Sequence, residues 1–371
     1  MGKVLVTGSQ GFIGRNLIAT LSLHPDLEVL TFDVSDQPEA LAQLVAQADF
    51  VFHLAGVNRP QDPSEFTTGN IGLTEQILDL LRAQGRPVPL LISSSTQAAL
   101  DNPYGSSKRG AEACVRAYGA ETGVPVFVFR LPNVFGKWSR PNYNSVVATF
   151  CHNTAQGLPL EVHDPGREVS LVHVDDVVAE FIAAFRGTVH RDAQGEPAVP
   201  RVFTLTLGDL AGRIQHFPAT RLSREVPEVG DDLTRLLYSM YLTYLPADQF
   251  GYLLDTKRDP RGWLAEVLRG PAMGQIFVSV TRPGIARGNH WHHTKTEKFL
   301  VVSGDASIRF RQISGSEVIE YLVSGREPRV VDIPPGYSHS ITNTGDSDLV
   351  TLFWASEPFD PARVDTYALP V

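Results

Sequence analysis

Three glycines spaced three apart, Gly8, Gly11 and Gly14, interrupt the chain between an apolar run, Val4-Leu5-Val6, and a stretch from Asn16 to Leu23 with helical spacing. Strand, glycine turn and helix in that order restrict the fold more than any other feature. Glycines there let the backbone approach a pyrophosphate, whose charge is met by amide N–H groups and the dipole at the helix N-terminus. Gly8, Gln10, Gly11, Phe12, Ile13 and Gly14 are therefore expected to hold a dinucleotide. A second strand, Glu28 to Phe32, ends at Asp33, about 20 residues beyond the turn, where a carboxylate accepts hydrogen bonds from the adenosine ribose.

Further strands, Phe50 to Leu54 and Leu90 to Ile92, alternate with a helical stretch from Thr74 to Arg82. That alternation predicts an α/β, Rossmann-type doubly wound parallel sheet. The strand at Leu90 runs into Ser93-Ser94-Ser95, and Tyr104 and Lys108 follow, four apart and so on one helix face. A lysine beside a phenol favours the phenolate, lowering its pKa from about 10 so that it exchanges a proton with a substrate oxygen near neutrality. A serine hydroxyl would hold the same oxygen.

Composition excludes several classes. The 371 residues exceed one typical domain and point to two or three. Lys and Arg number 32 against 41 Asp and Glu, without the clustered positive face that nucleic acid needs. No apolar run approaches the roughly 18 residues of a membrane span. Met1-Gly2-Lys3 leads straight into the first strand without a signal-peptide core, so the expected location is the cytoplasm. Two cysteines, Cys114 and Cys151, are too few for a disulfide framework or a thiolate cage.

From Gly187 to Pro246 the pattern loosens around Pro197, Pro200, Pro218 and Pro227, before a helical segment from Asp231 to Leu242. The expected boundary lies near Leu245, dividing the chain into 1–245 and 246–371. Beyond it come strand-like runs: Gln275 to Val280, Phe299 to Val302, Ser307 to Arg311, Val330 to Ile333 and Leu349 to Trp354. They predict an all-β sandwich or jelly roll. Four of the 11 histidines, His290, His292, His293 and His339, fall here. On a strand, His290 and His292 share one face and His293 takes the other. With Glu297 and His339 they are a candidate divalent-metal set. Three nitrogens and one oxygen suit zinc, iron, manganese or nickel, with zinc the expectation.

The first part resembles the extended short-chain dehydrogenases/reductases. It carries Thr7-Gly8 to Gly14, His53-Leu54-Ala55-Gly56, Asn70, Tyr104 with Lys108, Arg130 to Gly136, and His173-Val174-Asp175-Asp176. The resemblance implies that Tyr104 donates the proton, that Lys108 also binds the nicotinamide ribose, and that Ser95 or Ser94 orients a carbonyl. It also implies that Leu54, Ala55 and Gly56 touch the cofactor and that Asn133, Asn142, Tyr143, Asn144 and Arg167 contact a nucleotide-sugar. Sugar-nucleotide dehydratases of that family carry an Asp-Glu pair after the serine, where this chain has Thr96 and Gln97. A reductase or 4-epimerase is therefore expected.

The second part resembles the cupins, matching G-x5-H-x-H-x4-E-x6-G over 284–304 and P-x-G-x2-H-x3-N over 334–343. Asp101-Asn102-Pro103-Tyr104, Pro141-Asn142-Tyr143-Asn144-Ser145-Val146 and Gly288-Asn289-His290-Trp291-His292-His293-Thr294-Lys295 make the whole chain resemble a family of bifunctional capsular-polysaccharide and O-antigen enzymes. What that implies is a homodimer acting on a UDP-4-keto-6-deoxy-N-acetylhexosamine. The cupin inverts C3 and the reductase then reduces the C4 ketone with NAD(P)H, towards UDP-N-acetyl-L-fucosamine. The alternative is a single-activity 4-reductase or 4-epimerase with a structural cupin. Asp33 favours NADH, because a carboxylate repels a 2′-phosphate, whereas the resemblance implies NADPH; the expectation is NADPH, with NADH as alternative. Tyr337, Lys298 and His293 are unranked candidates for the epimerisation base. Arg167, with Arg59, Lys137 and Arg140, is expected to meet the diphosphate on an otherwise acidic protein.

Overall fold

The computed structural model describes residues 2–371. Its contacts divide into two compact units, the first running to Gln215 and including Asp232–Leu245, the second comprising His216–Asp231 and Pro246–Val371. Residues His216–Asp231, placed before the boundary by sequence, cluster with the second unit.

The first unit opens β1 (Gly2–Thr7), α1 (Phe12–Leu21), β2 (Leu27–Phe32), α2 (Pro38–Gln47), β3 (Phe50–His53), α3 (Ser64–Phe66), α4 (Leu73–Ala83), β4 (Leu90–Ser95), α5 (Pro103–Thr122) and β5 (Val126–Leu131). The five strands are parallel in the order β2-β1-β3-β4-β5. Helices cover both faces, which is why these strands read as unbroken apolar runs. Val4, Val6, Phe52 and Phe129 fill one core, and Leu5, Val51, Leu90 and Val128 the other. The strand order reverses between β1 and β3, so a crevice opens beyond their C-terminal ends. There Gly8 adopts φ +68°, and a Cβ on it would lie 2.6 Å from the Ala55 amide nitrogen. Below the crevice, buried His53 bridges Thr7 Oγ1 (2.8 Å) and Thr74 Oγ1 (2.9 Å), tying β1 and β3 to α4. Burial, then the nearby Lys108 charge, holds that imidazole down to about 3, so it is neutral.

The chain continues through β6 (Asn133–Phe135), α6 (Val146–Ala155), β7 (Glu168–His173), α7 (Val174–Phe185), β8 (Phe203–Thr206), α8 (Leu207–Ser223) and α9 (Asp232–Leu242). β6, β7 and β8 form a small mixed sheet. The loosened region thus holds a 17-residue helix that the sequence pattern misses, because Pro218 lies inside it.

The second unit is antiparallel. Its strands are β9 (Thr256–Asp259), β10 (Gly262–Gly270), β11 (Gly274–Thr281), β12 (Ala286–Trp291), β13 (Glu297–Ser303), β14 (Asp305–Gln312), β15 (Val318–Ser324), β16 (Val330–Ile333), β17 (Tyr337–Asn343), β18 (Leu349–Ala355) and β19 (Tyr367–Ala368). They form two sheets, β16-β13-β18-β11-β10-β9 and β15-β14-β17-β12-β19. Phe299, Ile308, Phe310, Ile333, Ile341 and Phe353 make the core of this jelly roll. Among the described residues no helix is long and apolar enough to cross a membrane.

Candidate functional site

A cleft of about 1970 Å³ opens at the crevice of the first unit, and the candidate catalytic, cofactor-binding and sugar-nucleotide residues named for that domain line it, Lys137 excepted. Roughly 300–1,000 Å³ holds one drug-sized ligand, so this cleft has room for two. At one end lies the N-terminus of α1, which no side chain caps and whose first turn carries no acid. Its free N–H groups and dipole suit a pyrophosphate. Asp33 lies beside the turn, accepting from the Gln10 amide (2.7 Å) and the Val34 amide (2.9 Å).

Mid-cleft, Asn102 caps α5 by accepting from the Gly105 amide (2.8 Å), and the helix presents Tyr104 and Lys108 together. The Lys108 ammonium sits 5.9 Å from the Tyr104 ring centre and donates to the Ser93 carbonyl (3.3 Å). Burial pushes the Tyr104 phenol above its ordinary value, against a hydrogen bond from Ser95 that lowers it. The expectation of a lowered phenol is thereby corrected: the ring is mostly buried, and desolvation disfavours the phenolate. Lys108 is itself lowered by burial to about 8, with Glu112 opposing the shift.

Neighbours on β4 point to opposite faces, and this separates the two candidate serines. Ser95 reaches Tyr104. Ser94 is buried and donates to Glu112 Oε1 (2.5 Å), whose carboxylate is gripped by Arg130 at 2.6 and 2.9 Å. Glu112 was missed in the sequence, although it stands one helical turn beyond Lys108. Asn70 sits in a π-helical turn, Thr67–Gly72, and holds the Val57 amide (2.9 Å), the Val57 carbonyl (3.1 Å) and Ser107 Oγ (2.9 Å).

Towards the other end, the Tyr143 ring lies 5.6 Å from the Arg59 guanidinium and 5.3 Å from that of Arg140. Asn133 donates to the Ser170 carbonyl (3.1 Å), and Asn142 takes the left-handed φ of 55°. Arg167, Arg59 and Arg140 line the cleft, but Lys137 does not; it pairs with Asp175 at 2.6 Å.

In the second unit, His290, His292, Glu297 and His339 bring one ligand atom each within 4.8 Å of one another. β12 supplies His290, its adjoining loop His292, the start of β13 Glu297, and β17 His339. Glu297 Oε2 stands 3.2 Å from His339 Nε2 and 3.6 Å from His292 Nε2. Those two Nε2 atoms are buried and have no hydrogen-bond partner. Buried polar atoms are rarely orphaned, so the donor set fits a divalent cation. Burial would raise the Glu297 carboxyl, but the facing His292 and His339 bring it below its ordinary range. Burial and repulsion from His339 lower His290 to about 4. Neutral imidazoles with an ionised carboxylate are the form that ligates.

Of the three candidate bases, two face away. Lys298 follows Glu297 on β13, so it takes the opposite face, where it pairs with Asp332. His293 rests against Trp291 (4.4 Å) and Tyr367 (5.0 Å). Tyr337, two residues before His339 on β17, shares the face of the cluster.

Residues 4–194 match the NAD dependent epimerase/dehydratase family, and residues 257–367 match the polysaccharide biosynthesis C-terminal domain. Over 371 residues, 100% of this chain and 99% of the relative, the sequence is 45% identical to UDP-2-acetamido-2,6-beta-L-arabino-hexul-4-ose reductase of Pseudomonas aeruginosa. The capsular polysaccharide assembling protein CapF from Staphylococcus aureus has the same structure with a TM-score of 0.94 and 46% identity, over 99% of this chain and 100% of that one. UDP-glucuronic acid 4-epimerase from Bacillus cereus, 17% identical with a TM-score of 0.54 over 65% of this chain and 98% of its own, shares the fold alone. The chain belongs to the NAD dependent epimerase/dehydratase family, in the group that also carries a polysaccharide biosynthesis C-terminal domain.

Proposed function

We propose that the protein is a two-step nucleotide-sugar enzyme, inverting C3 of a UDP-4-keto-6-deoxy-N-acetylhexosamine in the cupin and then reducing its C4 ketone in the first unit. The observation that carries this is the presence on one chain of two side-chain groups suited to these steps, Ser95-Tyr104-Lys108 in the cleft and the clustered His290-His292-Glu297-His339. The Pseudomonas relative, matched end to end, is named for reduction of such a 4-ulose.

In the cleft, bound reduced nicotinamide supplies the hydride. Tyr104 gives its phenolic proton to the C4 oxygen, while the Ser95 hydroxyl donates to the same oxygen and fixes its position. Lys108 stabilises the phenolate left behind and holds the nicotinamide ribose. The Arg59–Tyr143–Arg140 group and Arg167 meet the diphosphate of the sugar nucleotide.

In the cupin, a divalent cation, zinc by the resemblance, supplies positive charge close to the reacting sugar. The C3 proton is acidic only while the C4 carbonyl can take up the charge as an enolate. A protein base removes it on one face, and a proton returns on the other; Tyr337 is placed on the right face of β17. Reduction destroys the ketone, so epimerisation comes first.

The chemistry around Asp33 favours NADH, against the NADPH that the resemblance implies. No lysine or arginine occurs between Arg15 and Arg59, while Asp33 and Asp36 line the cleft beyond β2. A 2′-phosphate there would meet two carboxylates without a cation from this stretch. By the family resemblance the enzyme is a homodimer.

The test is NMR of the UDP-4-keto sugar in deuterated water. Without reduced cofactor, wild type should place deuterium at C3; with it, the C4 carbonyl should disappear. Tyr104→Phe should slow reduction by about 10²–10⁴-fold while C3 exchange continues, and His290→Ala should abolish exchange. Reduction without any C3 exchange would establish the single-activity 4-reductase instead.

A further inference from the structure

Between the ligands His292 and Glu297 the chain leaves β12 and has not yet entered β13, so residues 292–296 form a loop without strand pairing. Three consecutive amides of that loop converge on one carboxylate about seventy residues away. His293 donates to Asp365 Oδ1 (2.8 Å), and Thr294 (2.9 Å) and Lys295 (3.0 Å) donate to Oδ2. The Thr294 hydroxyl adds a fourth bond to Oδ2 (3.2 Å).

The main-chain carbonyl of the same residue accepts a hydrogen bond from His292 Nδ1. A carbonyl accepts only from a protonated nitrogen, so the contact selects the Nδ1–H tautomer and leaves the lone pair on Nε2. That Nε2 is the buried, partnerless atom beside Glu297.

The residues after Asp365 tie down the other ligand-bearing strands. β19 pairs with β12 through Tyr367 opposite Trp291 and Ala368 opposite His290. The Leu369 amide donates to the Asn289 carbonyl (2.9 Å), and Ser338 Oγ donates to the Leu369 carbonyl. Residues 365–369 therefore touch β12 next to His290, the loop of His292, and β17 next to His339.

We propose that Asp365 is the positioning residue of the metal centre, and that the C-terminal segment carrying it is a strap that holds His292 in its ligating tautomer and the loop in its ligating shape. It touches no metal and acts through His292. The inference rests on the metal reading of the cluster. Outer partners of ligating histidines commonly govern affinity by 10–100-fold. Because binding couplings are reciprocal, metal binding must in turn hold the strap.

The test uses the full-length chain stripped of metal, with zinc affinity measured by competition against a chromogenic chelator and strap order by amide hydrogen exchange. Asp365→Ala should weaken zinc binding by roughly 10–100-fold, with Asp365→Asn in between. Zinc should slow exchange at residues 365–369 in wild type, and much less in Asp365→Ala. Where Asp365→Ala fails to fold, the nearly isosteric Asp365→Asn carries the comparison. Equal zinc affinity in wild type and a folded variant, or no zinc effect on exchange of the strap, overturns this inference alone. Failure of the wild type to bind zinc overturns the metal reading and this inference with it.

Discussion

Charge at Lys108 is set by opposing neighbours: burial lowers its pKa to about 8, and Glu112, one helical turn on, works against that. Burial also keeps the Tyr104 phenol above its ordinary value, so the proposed proton donor stays loaded while the lysine titrates. The ammonium is present below its pKa and is lost as pH rises through it. For ketone reduction, kcat/KM should therefore fall above about pH 8. Glu112→Gln removes a carboxylate that favours the ammonium, so the break should move to lower pH; an unmoved break in a folded variant contradicts the coupling. Asp33 governs a separate choice. Wild type should prefer NADH over NADPH by about tenfold or more in kcat/KM, since juxtaposed like charges cost several kcal/mol, and Asp33→Ala should narrow the gap. A strong NADPH preference in wild type would refute the assignment.

Among the elements, the β1–turn–α1 unit has the least freedom. A Cβ on Gly14 would stand 2.2 Å from the Gly8 carbonyl oxygen, a backbone atom that cannot swing aside. Gly14→Ala should destabilise the first unit by about 1–3 kcal/mol, the usual cost of overpacking, and weaken NADH binding; a melting curve and a cofactor titration check both. This unit was legible in the sequence because a strand buried on both faces writes an unbroken apolar run, and the following glycines have no other ready explanation. Other elements were not legible. In α8 the interior Pro218 masks a helix whose Leu210, Ala211 and Ile214 are buried. β9 is exposed at all four of its residues, and β15 at its first five, so neither shows an alternation of apolar and polar residues. Their membership of the sheets comes from backbone pairing with β10 and β14.

At the scale of the whole molecule, the chain holds the Tyr104–Lys108 pair in one compact unit and the His290–His292–Glu297–His339 cluster in the other; under the proposed function the order of the two reactions would follow from the substrate, since only the ketone makes C3 exchangeable. The sequence by itself determined the residue types and local spacings: the glycine turn, Tyr104 with Lys108, the His290–His292 pair and the later His339. Apart from His339, each is carried by residues close together in the chain, where spacing is set by local geometry. The tertiary structure alone decided what depends on groups far apart in the chain. It turned Ser94 to Glu112 and Arg130 and left Ser95 to Tyr104, removed Lys298 and His293 from the face of the His290–His292–Glu297–His339 cluster, and grouped His216–Asp231 with the second unit. It also brought Asp365 onto the loop of His292. Periodicity along the chain carries no record of such meetings, because they are chosen by which buried polar groups must find partners once the units close.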